Sequence, residues 1–143
     1  MRLPFKRLDP TVPLPSRARP DDAGLDLQAN VDMVVEPGER ALIPTGLAVA
    51  IPEGHAGLVL PRSGLASRQG LTLANSPGLI DSGYRGEIVC AVVNLDREEP
   101  VKIARGDRIA QLVVVPIAAV HPEWADQLPP SERGEGGFGS TGR

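Results

Sequence analysis

Aromatic residues are scarce: one tryptophan, one tyrosine and two phenylalanines in 143 residues. A core cannot be built on so few rings, so valine, leucine, isoleucine and alanine must fill it. Only one cysteine is present, which excludes an intrachain disulfide and suits a reducing compartment. That residue, Cys90, lies in the apolar run "EIVCAVVNL" and reads as a buried, inert thiol. No apolar stretch approaches the ~18 residues of a membrane-spanning helix. The opening "MRLPFKRLDPTVPLP" lacks the apolar centre of a secretory leader. The expectation is a soluble, cytoplasmic protein with no membrane partner. Histidine is equally rare; His55 sits in a turn and His121 beside a proline, and with one cysteine they form no metal cluster. Net charge is −3 and the basic residues are scattered, so there is no footprint for wrapping a nucleic acid.

What the chain has in quantity is glycine and proline, 16 and 15 residues. They punctuate short β-branched or alternating runs: "GLDLQA", "DMVV", "RALI", "TGLAVAI", "GLVL", "LTLA", "EIVCAVVNL", "VKI" and "RIAQLVVVPI". Short strands at roughly 8–12-residue spacing predict an all-β sandwich or barrel. Only "RSGLASRQ", residues 62–69, is long enough for a helical turn or two. No βαβ alternation appears, which disfavours a doubly wound nucleotide fold. The length is that of about one domain, which buries roughly two-thirds of its unfolded surface. Residues 1–132 read as that domain. The rest, "RGEGGFGSTGR", has no apolar periodicity and reads as a flexible glycine-rich arm, 133–143.

Several short segments can carry chemistry. "LPRSGLAS" sets Arg62, Ser63 and Gly64 where a strand meets a helical turn, a geometry that offers N–H groups to an anion. Taken on its own, the segment reads first as an ordinary N-cap, with Ser63 capping its own helix. "AGLDLQA" places Asp26 on the face opposite two leucines, as a ligand or as a plain solvent-facing carboxylate. "RGDRIAQL" offers Arg108 and Gln111 around an apolar strand. The arm matches G-x-G-x-x-G but lacks the preceding strand and following helix which that motif requires. Its Arg133, Ser140, Thr141 and unhindered backbone N–H groups can still surround an anion, while Phe138 stands among glycines with no strand to pack into. Finally, "NSPGLIDSGYRGEI" spends the lone tyrosine, Tyr84, on a turn three residues after Asp81. That ring either stacks on a flat ligand or braces its own hairpin.

Taken together and in this order, "AGLDLQA", "PRSGLAS", "NSPGLIDSGYRGEI", "RGDRIAQLVV" and "RGEGGFGSTG" closely resemble the trimeric dUTPases, the deoxyuridine triphosphate nucleotidohydrolases. The one small departure is "RPDDAG", where a glycine or serine often precedes the alanine. The resemblance implies a distorted β-barrel of jelly-roll type, three chains sharing three active sites, and an arm that closes over the substrate. It implies hydrolysis of dUTP to dUMP and pyrophosphate with Mg2+, which keeps uracil out of DNA and supplies dUMP for thymidylate synthesis.

By the same resemblance Asp81 activates the water that attacks the α-phosphorus. Arg62, Ser63, Gly64, Gln111, Arg133, Gly139, Ser140 and Thr141 hold the triphosphate, and Asp26 holds magnesium through water. Uracil lies in the hairpin against Asn75, Gly78, Leu79, Ile80 and Val89, Tyr84 underlies the deoxyribose, and Phe138 caps the base. Two rivals use the same scaffold: a dCTP deaminase, whose family generally carries alanine where Asp81 stands, and a non-catalytic nucleotide-sensing protein.

Overall fold

The structure, a computed structural model, describes residues 1–138. Its strands are β1 (Phe5–Arg7), β2 (Leu25–Gln28), β3 (Met33–Val35), β4 (Arg40–Val49), β5 (His55–Pro61), β6 (Leu71–Leu73), β7 (Gly78–Ile80), β8 (Glu87–Asn94), β9 (Val101–Ile103) and β10 (Arg108–Pro116), and α1 is Ser63–Gln69. One sheet has the order β1-β4-β8-β6, the second β2-β10-β5-β7, and β3 pairs with β9. From β4 to β8 the chain changes sheet at every step, so each connection crosses the core. That alternation makes the sandwich a distorted barrel of jelly-roll type.

Period-two patterning decides which face each strand buries. On β8, Ile88, Cys90, Val92 and Asn94 point inward while Val89, Ala91 and Val93 alternate outward. Ile88, Cys90 and Val92 meet Leu27, Val59, Ile80, Ala110 and Leu112 from the second sheet in one aliphatic cluster. Phe5 only packs against its edge, so the core is free of rings, as the composition requires. Each fully buried valine, leucine or isoleucine contributes roughly 1.5–3 kcal/mol through removal from water. Asn94, the one fully buried amide, is satisfied: its Nδ2 donates to the carbonyls of Val35 (3.0 Å) and Glu99 (2.9 Å), and its Oδ1 accepts from the Asp96 N–H (2.9 Å).

Three expectations change. β1 and β7 were absent from the strand candidates, because "FKR" is polar and "GLI" is too short to alternate. "RALI" and "TGLAVAI" form one strand, with Pro44 and Gly46 absorbed by an irregularity in its pairing with β8. Helix α1 forms as predicted, but Arg62 is its N-cap, extended and without a side-chain cap bond. Ser63 is therefore the first helical residue, and its hydroxyl does not cap the helix.

Burial pushes the Cys90 thiol up to about 12. An unfolded thiol ionises near ~8.5, so between those values the unfolded chain binds fewer protons and stability falls as pH rises. The Cys90 contribution is complete below pH ~8.5 and is lost toward about 12. Denaturation midpoints measured from pH 8 to 11 should therefore drop less steeply for Cys90→Ala than for the parent. Equal slopes would contradict a buried thiol. Among the described residues no helix is long and apolar enough to cross a membrane.

Candidate active site

The hairpin around Tyr84 is local in origin. β7 pairs antiparallel with β5 in the register Gly57↔Ile80, Leu58↔Leu79, Val59↔Gly78, which buries Ile80 and turns Leu79 outward. Asp81 is the first residue beyond the strand. The chain then reverses in a turn closed by the Tyr84 N–H donating to the Asp81 carbonyl at 3.1 Å. Arg85 braces the turn by donating to the carbonyls of Ser82 (2.6 Å) and Tyr84 (2.8 Å). The Tyr84 ring folds back over its own turn, and its hydroxyl donates to the Glu87 carbonyl at 2.9 Å.

Between β7 and β8 lies a cavity of about 220 Å³, lined by Asn75, Gly78, Leu79, Ile80, Asp81 and Tyr84 on one side and Ile88 to Ala91 on the other. Both of its walls are backbone edges. β7 ends its sheet, with a partner on one side only among the described residues. β6 pairs with β8 only as far as Leu73↔Val92, followed by the Ala74 N–H donating to the Ala91 carbonyl at 2.8 Å. Because N–H and C=O directions alternate along a strand, Val89 points its pair to the same side as Ala91, where no strand remains. A donor and an acceptor of Val89 therefore face the cavity. Buried backbone groups need partners, and a flat ring edge carrying both donor and acceptor satisfies them. Cys90 also lines this cavity, but its raised thiol is a poor nucleophile.

A second cleft, about 260 Å³, gathers Asp26, Arg62, Ser63, Gly64 and Gln111. β10 makes this cluster by lying between β2 and β5, with Gln111 opposite Asp26 on one side and Leu60 on the other. Asp26 is held by both neighbouring cations, Arg62 Nε at 3.4 Å from Oδ1 and Arg108 Nη1 at 3.2 Å from Oδ2. Arg62 also donates to the Arg108 carbonyl at 3.1 Å, and Gln111 Nε2 to the Pro61 carbonyl at 3.0 Å. Arg108, which the sequence offers beside Gln111 without a role, joins the cluster as the second cation on Asp26. Residues three apart on a regular strand face opposite ways, but a register shift between Arg108 and Ala110 returns Arg108 to the side of Gln111.

The two clefts share no lining residue within one chain. The register Gly57↔Ile80 sets Asp81 beside the Ala56 end of β5, whereas Arg62 follows its other end. At ~3.4 Å per residue they stand roughly 20 Å apart. Nor do Arg133 and Phe138 line either cleft. Arg133 Nε donates to the Gly136 carbonyl at 2.7 Å, and Phe138 projects fully exposed, like Trp124. Gly139, Ser140 and Thr141 lie outside the described residues.

A family model for dUTPases matches residues 11–142. The chain is 58% identical over 138 residues to the deoxyuridine 5'-triphosphate nucleotidohydrolase of Streptomyces coelicolor, covering 96% of this chain and 75% of that protein. It is 53% identical over 142 residues to the protein of the same name from Thermobifida fusca, covering 99% and 79%. Among solved structures, the Staphylococcus bacteriophage 80alpha dUTPase with dUPNHPP superposes with a TM-score of 0.90 at 35% identity, covering 99% of each chain. A dUTPase from phage phi11 of S. aureus, described with a structural Mg(II) ion, superposes at 0.83 with 30% identity, over 91% of this chain and 100% of that one.

Proposed function

The chain belongs to the dUTPase family, as a dUTP diphosphatase that converts dUTP to dUMP, and from that premise we propose how its residues carry the reaction. The observation that carries the reading is the cavity between two open backbone edges, with Asp81 at its rim and Tyr84 beside it.

Uracil pairs with the free edges of β7 and β8, with the Asn75 amide as a further donor and acceptor. Cytosine presents the opposite exocyclic group and leaves buried polar atoms unpaired, which is how a backbone-read pocket rejects it. Tyr84 underlies the deoxyribose. Asp81 accepts a proton from water as the water oxygen bonds to the α-phosphorus. The bond from that phosphorus to the bridging oxygen breaks, and pyrophosphate leaves with the electron pair. General-base assistance is worth about 10²–10⁴-fold, so alignment and charge stabilisation must supply the larger share. Arg62, Ser63, Gly64 and Gln111 are the groups for that task, joined by Arg133, Gly139, Ser140 and Thr141 from the arm, with Phe138 over the base.

One chain separates the water-activating carboxylate from the phosphate cleft by more than a triphosphate can bridge. Three copies arranged head to tail, Asp81 of one against Arg62 of the next, close all three gaps in a ring. The outer face of the second sheet supports such assembly. Leu79, Leu58 and Val113 form one cross-strand row there, and Leu60 and Val115 extend it. Leu79 alone is 65% exposed, and contiguous apolar surface of this kind marks an interface.

The residues present fit magnesium. Among the described residues no cluster of three His, Cys, Asp or Glu side chains forms a metal cage, and magnesium takes most of its ligands from phosphate and water. Each Asp26 oxygen has one cation contact, which leaves lone pairs free to accept from metal-bound waters. When bound, the ion neutralises phosphate charge.

Pyrophosphate release, followed with magnesium present for dUTP, dCTP, dTTP and UTP while ammonia is monitored, is expected from dUTP alone and without ammonia. Ammonia from dCTP would establish the deaminase reading, and binding without release the nucleotide-sensing one.

A further inference from the structure

We infer that Glu87 is the positioning residue that sets Tyr84, and through it the preference for deoxyribose over ribose; the inference rests on Tyr84 being the sugar platform. It starts from a defect in the first sheet. Pro44 pairs with Val89 and the next pair is Ala48 with Glu87. Ile88 alone therefore faces Thr45, Gly46 and Leu47, and the backbone groups of this bulge cannot all join the ladder.

Side chains complete the pairing instead. Thr45, 1% exposed, donates its hydroxyl to the Ile88 carbonyl at 2.7 Å. The Gly46 N–H donates to Glu87 Oε1 at 2.7 Å, and the Gly46 carbonyl accepts from the Leu8 N–H at 2.8 Å. Gly46 cannot drift: its φ is +70°, and a Cβ there would lie 2.7 Å from Val12 and 2.9 Å from Asn30. The Glu87 carboxylate is thus tied to a fixed donor inside the barrel.

The same residue ends the tyrosine's reach. Tyr84 is 45% exposed, so packing alone does not fix its ring, and its hydroxyl is anchored on the Glu87 carbonyl at 2.9 Å. Gly86 makes the approach possible, since a Cβ there would collide with the tyrosine oxygen and stand 2.6 Å from Cζ. The path from bulge to sugar is therefore Gly46, Glu87 carboxylate, Glu87 carbonyl, Tyr84. Releasing the carboxylate frees the start of β8, so the Glu87 carbonyl that anchors the tyrosine hydroxyl is no longer held in place.

The test is kcat and KM for dUTP and UTP in the parent, Glu87→Ala, Glu87→Gln and Tyr84→Phe, with thermal melts alongside. Glu87→Ala is expected to raise the dUTP KM about tenfold, to change kcat by less than about threefold, and to shrink the dUTP:UTP ratio of kcat/KM about tenfold. Glu87→Gln, which keeps an Oε1 acceptor, should recover most of that ratio. Tyr84→Phe should shrink it too, and the double variant Glu87→Ala with Tyr84→Phe should lose no more than the worse single one. An unchanged ratio in folded Glu87→Ala, or equal damage from Ala and Gln, would overturn the role. If Glu87→Ala does not fold, Glu87→Asp decides, because its shorter side chain draws the carboxylate back from the Gly46 N–H: a reduced ratio supports the role and an unchanged one removes it. A parent enzyme indifferent to the 2′-hydroxyl would instead overturn the reading of Tyr84 as the platform.

Discussion

Replacing Asp81 with asparagine is expected to slow dUTP turnover by about 10²–10⁴-fold while dUTP binding stays within a few-fold. The substitution keeps the shape of the side chain and removes only its capacity to take a proton. Asp81 is exposed at the rim of the cavity, directly after β7, and among the described residues it has no salt-bridge partner. Its loss therefore leaves no buried charge unpaired, and the fold has little reason to respond. Pyrophosphate release compared with equilibrium binding of a non-hydrolysable dUTP analogue checks both halves. Parental turnover would remove Asp81 as the base, and loss of binding would make it a ligand rather than a catalyst.

A second large effect concerns the distance between the two clefts. Asp81→Asn chains and Arg62→Ala chains should each be nearly inactive, and co-expressed in equal amounts they should regain about a quarter of the parental activity. In a head-to-tail ring, a competent site needs Asp81 from an Arg62→Ala chain and Arg62 from an Asp81→Asn chain, which random assembly supplies about one time in four. Arg62 is a fair choice because it is partly exposed, with 30% of its side-chain surface free. Its loss takes a charge from the second cleft without opening the core. No recovery would mean that one chain supplies both groups, against the separation along β5.

How much of this was legible before folding depends on how local each feature is. The hairpin runs from Asn75 to Val89, and all of its predicted members line one cavity because the turn itself brings them there. The strands of the core announce themselves by alternation, clearest in "EIVCAVVNL". The sequence offers Arg108 but not its side, because a bulge reverses the face on which a strand residue points. Glu87 was hidden by another, because a ladder that skips three residues on one strand and one on its partner leaves no mark in the pattern of either.

The sequence by itself determined the class of fold, the aliphatic core, the buried Cys90 and the segments that line the two clefts, because composition, period and turn residues are local properties. Only the tertiary structure decided that Asp26 meets Arg62 and Arg108, that Val89 turns its N–H and C=O toward the cavity, and that Asp81 stands far from the cleft of Arg62 and Gln111. Those outcomes follow from strand order, register and bulges. A one-residue change in any of them re-aims a side chain while leaving the amino acids the same.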